Sequence, residues 1–546
     1  MTYLSLPAKL LQFAILSLPL LFAFAHPPTV TLDYGTFIGN DNTSTGITSF
    51  LGIRFADPPT GNLRWRAAIS PPSSNLGTVY ATKFAPICAS IGQTGDGTSE
   101  DCLFGNVFVP SGTTSHDKLP VMVWFHGGGY QEGGTPDFDP MLLMQSSEKP
   151  MIFVSFAYRL GVLGFLGGTR LKKDGQLNAG IQDQRAALVW LQRYIGKFGG
   201  DPSRVTIWGE SAGAGSTMYH LLANGGDTGG LFQAAMGDSP TDTFTPTFDS
   251  DFVESLFNLF STNAGCGTNA NNNVLTCLRS AKLDVLTDAW DALVANRTST
   301  LFNFAPILDG DFIAVRPVEA FTTGRFANVP VLFGSNTNEG AGWSAQLPNP
   351  ATNTTNPNAT EETVFHFLRG AWDTLTQESF DRAVGLYYPL VEFSDSFDRQ
   401  GQQMYGEVRY ICLAGLITEG VTRWASGGSR AYQYRYDNPH LGSNHANELG
   451  AFFPASTPPN ADDEDLALFE VMREFFTSFV TTGTPTSRTA VGLSWDPVAD
   501  YPDTSNDIDG NPRILFRPGG IAMEQISDEL NENCAFWHSL GDEMQI

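Results

Sequence analysis

The chain has 546 residues, of which 42% are hydrophobic and 16% are charged. Its 57 Asp and Glu residues outnumber its 31 Lys and Arg residues, so the formal net charge is −26 and the pI is near 4.5. Nucleic acid and anionic membranes are therefore excluded as favoured partners, because both repel an acidic protein. The length is enough for a large buried core.

The N-terminal residues 1–25 predict a secretory signal peptide. These residues contain one charge, Lys9, followed by an apolar run that ends at Phe24. The stretch closes with a small-x-small pattern at residues 23–25. We expect cleavage between Ala25 and His26. A membrane anchor is the alternative, but polar residues and a proline interrupt a run already shorter than the roughly 20 residues that a span needs. No later segment is long and apolar enough to cross a bilayer.

The remaining residues, 26–546, predict one domain of the α/β class. No long Pro/Ser/Gly linker divides them. Short apolar strands alternate with helical stretches, which is typical of a mostly parallel sheet flanked by helices. The predicted strands are 121–125, 152–156 and 330–334, and the predicted helices are 178–197 and 466–482.

Two glycine-rich segments after predicted strands indicate an acyl-transfer site. Strand 121–125 is followed by HGGG at 126–129, whose backbone N–H groups can stabilise an oxyanion. The β-branched run 205–207 precedes GESAG at 209–213, in which Ser211 lies between two glycines. A sharp turn there exposes the serine hydroxyl as a nucleophile. An ordinary turn serine is the alternative.

The cysteines and N-glycosylation sequons are typical of an exported chain. The cysteines are Cys88, Cys102, Cys266, Cys277, Cys412 and Cys534, two close pairs and one distant pair along the sequence. Six cysteines allow fifteen pairings, so their positions leave the connectivity open. The sequons are at Asn42, Asn296, Asn353 and Asn358. With the signal peptide, these features predict an extracellular glycoprotein with disulfide bonds.

Longer blocks of the sequence resemble the type-B carboxylesterases, the α/β-hydrolase branch that includes cholinesterases, fungal lipases and sterol esterases. The similarity covers nearly all of residues 26–546. It includes GIRFADPPTGNLRWRA (52–67), SEDCLFGNVFVP (99–110), HGGGY (126–130), YRLGVLGFL (158–166), NAGIQDQRAALVWLQRYIGKFGGDP (178–202) and FAPILDGDFI (304–313). The resemblance implies an α/β-hydrolase fold, with loop and helical insertions over the active site.

The resemblance also implies the catalytic residues. Ser211 matches the family's nucleophile, Glu339 in GSNTNEG matches its acid, and His445 in NHANELG matches its base. In such a triad the imidazole takes the serine proton, and the carboxylate fixes the tautomer of the imidazole. The alternatives are His440 for the base and Asp309 for the acid.

The same matching implies an oxyanion hole made by the backbone N–H groups of Gly128, Gly129 and Ala212. We expect structural roles for Glu210, beside the nucleophile, and for His126. Where the family has a serine near the acid, this chain has GDSP at 237–240, so that serine is either missing or supplied by Ser239. The implied disulfides are Cys88–Cys102, Cys266–Cys277 and Cys412–Cys534.

The segment between Cys88 and Cys102 indicates the substrate class, since lipase-like relatives carry a long lid there. It has thirteen residues here, which predicts an open site for short-chain or aromatic esters, including phenolic ones. The alternatives are a lipase or sterol esterase acting on long-chain esters, a feruloyl esterase, or a non-catalytic cholinesterase-like adhesion protein. The partner is thus a small-molecule or lipid ester, and the oligomeric state stays open.

No metal or cofactor is expected, because the sequence has no HExxH motif, no paired CxxC and no phosphate-binding loop.

Overall fold

A computed structural model describes residues 1–2, 27–92, 95, 97–268, 273–425, 430–498 and 511–546. The predicted signal peptide, apart from its first two residues, and the predicted cleavage site between Ala25 and His26 lie outside this described part. Among the described helices, none has the length and apolar character needed to span a membrane.

The described residues form sixteen strands. They are β1 (Thr29–Leu32), β2 (Gly35–Ile38), β3 (Asn40–Asn42), β4 (Ile47–Arg54), β5 (Thr78–Tyr80), β6 (Ile87–Cys88), β7 (Thr98–Ser99), β8 (Phe104–Pro110), β9 (Leu119–Phe125), β10 (Ile152–Phe156), β11 (Gly200–Gly209), β12 (Ala234–Asp238), β13 (Val331–Asn336), β14 (Ala431–Tyr436), β15 (Pro512–Phe516) and β16 (Ala522–Gln525).

Eleven of these strands form one sheet in the order β3-β4-β8-β10-β9-β11-β12-β13-β14-β15-β16. The pairs from β10 to β15 are parallel, and the remaining pairs at both edges are antiparallel. The prediction of a large, mostly parallel sheet is therefore confirmed. Because parallel strands run the same way, their carboxyl ends share one edge, which is where ligands bind in open α/β sheets.

The helices of the described part lie between and around these strands. They are α1 (Met141–Ser146), α2 (Gly161–Phe165), α3 (Thr169–Asp174), α4 (Ala179–Tyr194), α5 (Ala212–Gly226, non-helical at Ala223–Gly225), α6 (Asp251–Asn263), α7 (Val274–Ser280), α8 (Leu283–Ala295), α9 (Pro317–Thr323), α10 (Glu361–Ala371), α11 (Gln377–Leu386), α12 (Phe397–Gly406), α13 (Cys412–Trp424), α14 (Asp463–Thr482), α15 (Asp528–Ser539) and α16 (Gly541–Met544). A π-helical turn, Glu407–Ile411, joins α12 to α13.

Both faces of the sheet are buried, which explains the nearly continuous apolar run of β9. Val123 and Phe125 belong to one hydrophobic cluster, whereas Met122 and Trp124 belong to the other. Successive side chains of a strand point to opposite faces, so each face of β9 contributes to a different core. The predicted strand 121–125 thus lies in the middle of the molecule.

Three disulfides brace the structure and link the pairs that the resemblance implied. They are Cys88–Cys102, Cys266–Cys277 and Cys412–Cys534. The last one joins the start of α13 to α15 across 122 positions of the chain.

Candidate active site

Ser211 lies on a sharp turn between β11 and α5. Its backbone has φ 56° and ψ −121°, a conformation that costs energy for a residue with a side chain. The turn also brings Gly213 so close to β9 that a Cβ there would collide with the carbonyl oxygen of Phe125. The glycine is therefore needed for the elbow to pack against the central strand.

Glu339 and His445 follow two adjacent parallel strands, β13 and β14. His445 Nδ1 lies 2.6 Å from Glu339 Oε2. The Glu339 side chain is fully buried, and that of His445 is 10% exposed. The two residues are 106 positions apart in sequence and meet because their strands end at the same edge of the sheet.

The other ring nitrogen of His445 points toward the elbow. Nε2 is buried without a hydrogen-bond partner, and it lies 3.2 Å from Oε1 of Glu210, the residue before Ser211. Because Nδ1 is engaged by Glu339, Nε2 is the ring nitrogen that faces the elbow. Glu339 and His445 thus contact each other at the carboxyl edge of the sheet, and the second ring nitrogen of His445 lies beside the residue that precedes Ser211.

Several groups fix the orientation of Glu339. Its Oε1 accepts hydrogen bonds from the Ser239 hydroxyl at 2.5 Å and from the Asn336 backbone N–H at 2.6 Å. The indole N–H of Trp343 donates to the backbone carbonyl of Glu339 at 2.8 Å. Of the two possibilities at GDSP, the structure therefore has the second, in which Ser239 supplies the hydroxyl.

Three more buried acids surround this pair. Burial, together with the charge of Glu339, raises the pKa of Glu210, Asp238 and Glu448. Burial thereby shifts each of these acids toward its neutral form. Sequence reasoning missed Asp238 and Glu448, because only the packed structure brings them to the elbow.

The HGGG segment lies directly against the elbow. A Cβ on Gly127 would be 3.1 Å from the Cβ of Ser211. Among the described residues, the N–H groups of Gly128 and Gly129 donate to no acceptor, and Ala212 is the first residue of α5, where N–H groups have no helical partner. Three N–H groups are thus available beside the serine.

His126 shapes this segment. Its Nδ1 contacts the carbonyl of Gly127 at 2.9 Å, and the Tyr158 hydroxyl donates to the carbonyl of His126 at 2.7 Å. Complete burial lowers the pKa of His126 to about 4, so the ring is neutral at neutral pH. A neutral, hydrogen-bonded ring is consistent with the structural role expected for it.

The alternative base and acid have other partners. His440 Nδ1 lies 2.6 Å from Asp465, at the start of α14. Asp309 accepts the backbone N–H groups of Asp311 and Ile313 and closes a turn. Neither side chain contacts Glu339 or His445 within the described structure.

Aromatic side chains form a wall next to His445. The ring centroids of Tyr410 and Trp343 lie 4.2 Å and 5.3 Å from that of His445. Phe302 lies 5.6 Å from Trp343 and packs so tightly on Gly129 that a Cβ there would collide with its ring. Sequence reasoning did not find these residues, because the chain has 40 Phe and no pattern distinguishes those at a site from those in the core.

The four predicted glycosylation sites differ in exposure. Asn42, Asn296 and Asn358 are exposed, and Asn353 is partly buried. The sequons remain predictions.

Known proteins resemble this chain in sequence and structure. A model of the carboxylesterase family matches residues 26–537. Lipase 4 of Diutina rugosa is 36% identical over 399 residues, which cover 66% of this chain and 71% of the relative. The secreted triacylglycerol lipase LIP1 of Gibberella zeae is 30% identical over 516 residues, which cover 86% and 84%. The solved structure of Aspergillus niger EstA has a TM-score of 0.82 at 30% identity and covers 95% of this chain and 99% of EstA. The chain therefore belongs to the carboxylesterase family and is a carboxylic-ester hydrolase.

Proposed function

We propose that this protein is a secreted serine esterase whose triad is Ser211, His445 and Glu339. One observation carries the proposal. His445 Nδ1 lies 2.6 Å from Glu339 Oε2, while His445 Nε2 is buried at the elbow without a hydrogen-bond partner. An imidazole in that state is prepared to take a proton from a neighbouring hydroxyl.

The reaction then has two halves. Ser211 attacks the ester carbonyl as His445 takes its proton, and His445 returns that proton to the departing alcohol. Water, activated by His445 in the same way, releases the acyl group from the serine. The N–H groups of Gly128, Gly129 and Ala212 stabilise the oxyanion in both halves, and each such donor is typically worth about 10²–10³ in rate.

Secretion is supported by two independent features. Three disulfides form in the structure, and such bonds persist in oxidising compartments. The relative from Gibberella zeae is described as secreted. Both agree with the signal peptide that the sequence predicts.

Short-chain or aromatic esters are the substrates we favour. The described part of the Cys88–Cys102 loop is tied down, since Ile91 donates its N–H to the carbonyl of Gln131 and Gly92 donates to Asp291. A short, tethered loop is a poor candidate for a moving lid. The rings of Tyr410, Trp343 and Phe302 offer an apolar wall suited to a small acyl or aromatic group.

A lipase acting on long acyl chains is the second candidate. It is favoured by the names of the relatives, since those from Diutina rugosa and Gibberella zeae are both lipases.

Hydrolysis of p-nitrophenyl esters from acetate to palmitate distinguishes the two candidates. We expect the purified protein to show its highest kcat/KM on short chains, with Ser211→Ala as the blank. A maximum on long chains would keep the serine mechanism and make lipase the better description. Inactivity on every activated ester would contradict the triad and favour a non-catalytic binding protein.

A further inference from the structure

A small cavity lies behind the aromatic wall, on the side of the oxyanion loop. Its volume is about 40 Å³, and Phe302, Arg409, Arg297 and Thr243 are among the residues that line it. Phe302 packs on Gly129, and the ring of Tyr410, the neighbour of Arg409, contacts that of His445. One side chain, that of Phe302, therefore separates the cavity from the backbone of Gly129.

Arg409 is the unusual residue of this cavity, because it is charged and only 3% exposed. It belongs to the π-helical turn Glu407–Ile411, a type of insertion that is frequent at functional sites. Its guanidinium carbon lies 4.8 Å from the ring centroid of Phe302 and 5.7 Å from that of Tyr405. Aromatic faces attract a cation but accept no hydrogen bonds in the guanidinium plane.

The guanidinium has little else to compensate its charge. Within the described part of the chain no carboxylate lies within 4.0 Å of it, and its Nε is buried without a hydrogen bond. The Tyr410 side chain takes one of its five donors. A buried charge left without a counterion is costly.

Asp242 is the acid that interacts with this arginine, yet it does not neutralise it. Burial raises the pKa of Asp242 to about 8, and the attraction of Arg409 offsets only part of that rise. At neutral pH the acid is mostly protonated. Arg409 therefore keeps its positive charge uncompensated.

The local charge of the cavity is opposite to that of the protein. Arg297 also lines it, with its Nε donating to Asn303 Oδ1 at 2.8 Å, and the acid in the lining, Asp373, is exposed. The chain as a whole carries a charge of −26, so its overall field repels anions. An anionic ligand must be held by local cations, and two of them lie here.

We propose that this cavity binds a carboxylate on the acyl part of the substrate, held by the guanidinium of Arg409. The preferred substrates would then be half-esters of short dicarboxylic acids. The acyl side is assigned because Phe302, which lines the cavity, packs on Gly129, whose N–H faces the ester carbonyl in the proposed mechanism. The volume admits a few water-sized groups and so fits a carboxylate but not a long chain. This inference rests on the proposed serine esterase function.

The test compares monomethyl glutarate with methyl 5-methylhexanoate, which carries an isopropyl group in place of the carboxylate. Hydrolysis is followed by titration at neutral pH. We expect the wild type to have a kcat/KM about 10-fold or more higher for the half-ester, since a charged pair of hydrogen bonds is lost in the isostere. Arg409→Gln should abolish this preference while the neutral ester changes by less than about 3-fold. Arg409→Lys should keep part of it, and Arg325→Gln, at an exposed arginine, should keep all of it.

Three results separate the possible failures. Equal kcat/KM on both esters in the wild type overturns the inference and leaves the esterase function intact. An equal loss on both esters in Arg409→Gln would show a purely structural role. Inactivity of the wild type on every ester would refute the esterase function itself.

If Arg409→Gln does not fold, inhibition of the wild type gives the answer. The monoamide of glutarate should compete with a neutral ester at a concentration about 10-fold lower than 5-methylhexanamide, which carries an isopropyl group in place of the carboxylate, by the same loss of charged hydrogen bonds. Equal inhibition by the two amides would overturn the proposal.

Discussion

Two histidine–carboxylate pairs occur in and around the loop after β14, and they have the same local geometry. Nδ1 of His445 lies 2.6 Å from Glu339, and Nδ1 of His440 lies 2.6 Å from Asp465. The side chain of His445 is 10% exposed, whereas that of His440 is 44% exposed. The environment, not the pair itself, therefore distinguishes a candidate catalytic dyad from a structural one.

The two acids also have different tasks. Asp465 accepts the backbone N–H of Asp462 in the capping box that starts α14, as well as the amide of Asn438. Glu339 accepts the Ser239 hydroxyl and the Asn336 N–H at the carboxyl edge of the sheet. One carboxylate thus fixes a helix end, and the other fixes an imidazole beside the elbow.

Exchanging each histidine for glutamine tests this distinction with the largest expected effect. We expect His445→Gln to lower kcat/KM on p-nitrophenyl butyrate by about 10⁴-fold or more, because the general base is lost. His440→Gln should stay within about 3-fold of the wild type, since it touches no reacting group. Comparable losses in the two variants would contradict the assignment of the base.

The acids give the next largest effect. Glu339→Gln should lower kcat by about 10³–10⁴-fold without unfolding the protein, because an amide no longer fixes the tautomer of His445. Asp465→Asn should leave kcat nearly unchanged and lower the Tm, because it weakens the capping box of α14. Steady-state kinetics and thermal melts of both variants check this. A large kcat loss in Asp465→Asn would mean that the two pairs are coupled.

The sequence was sufficient where the signal is local. The elbow around Ser211 and the strand 121–125 depend on short runs of glycine and apolar residues, and both lie where predicted. The helix predicted at 466–482 begins earlier, at Asp463, because the Asp462 side chain accepts the N–H groups of Glu464 and Asp465. Such a cap could be recognised only as a favourable charge pattern.

Contacts between distant segments could not be predicted from the residues alone. His445 meets Glu339 across 106 positions, and the resemblance to a family supplied this match where spacing could not. Trp343, Tyr410 and Arg409 had no motif to mark them. Their positions follow from the packing of α12, the π-helical turn and the loop after β13, which only the folded chain reveals.

The smallest predicted effect concerns pH and the stability given by His440. The hydrogen bond to Asp465 raises the pKa of His440 from 6.5. Burial opposes ionisation of Asp465, but the hydrogen bonds that this carboxylate accepts lower its pKa from 3.8. Because the pKa of His440 is raised in the folded protein, its hydrogen bond stabilises the fold fully at pH values below the unfolded-state pKa. This stabilisation is lost as the pH rises through the folded-state pKa. Because the pKa of Asp465 is lowered in the folded protein, its stabilising effect is present at pH values above the unfolded-state pKa and is lost as the pH falls through the folded-state pKa.

The pair should therefore stabilise the protein most between about pH 4 and pH 6.5, the two unfolded-state values. We expect the Tm of the wild type to exceed that of His440→Gln in this window, and the difference to shrink as the medium becomes alkaline. A Tm difference that does not vary with pH would mean that His440 acts through packing, because only a group whose pKa differs between the folded and unfolded states makes stability depend on pH.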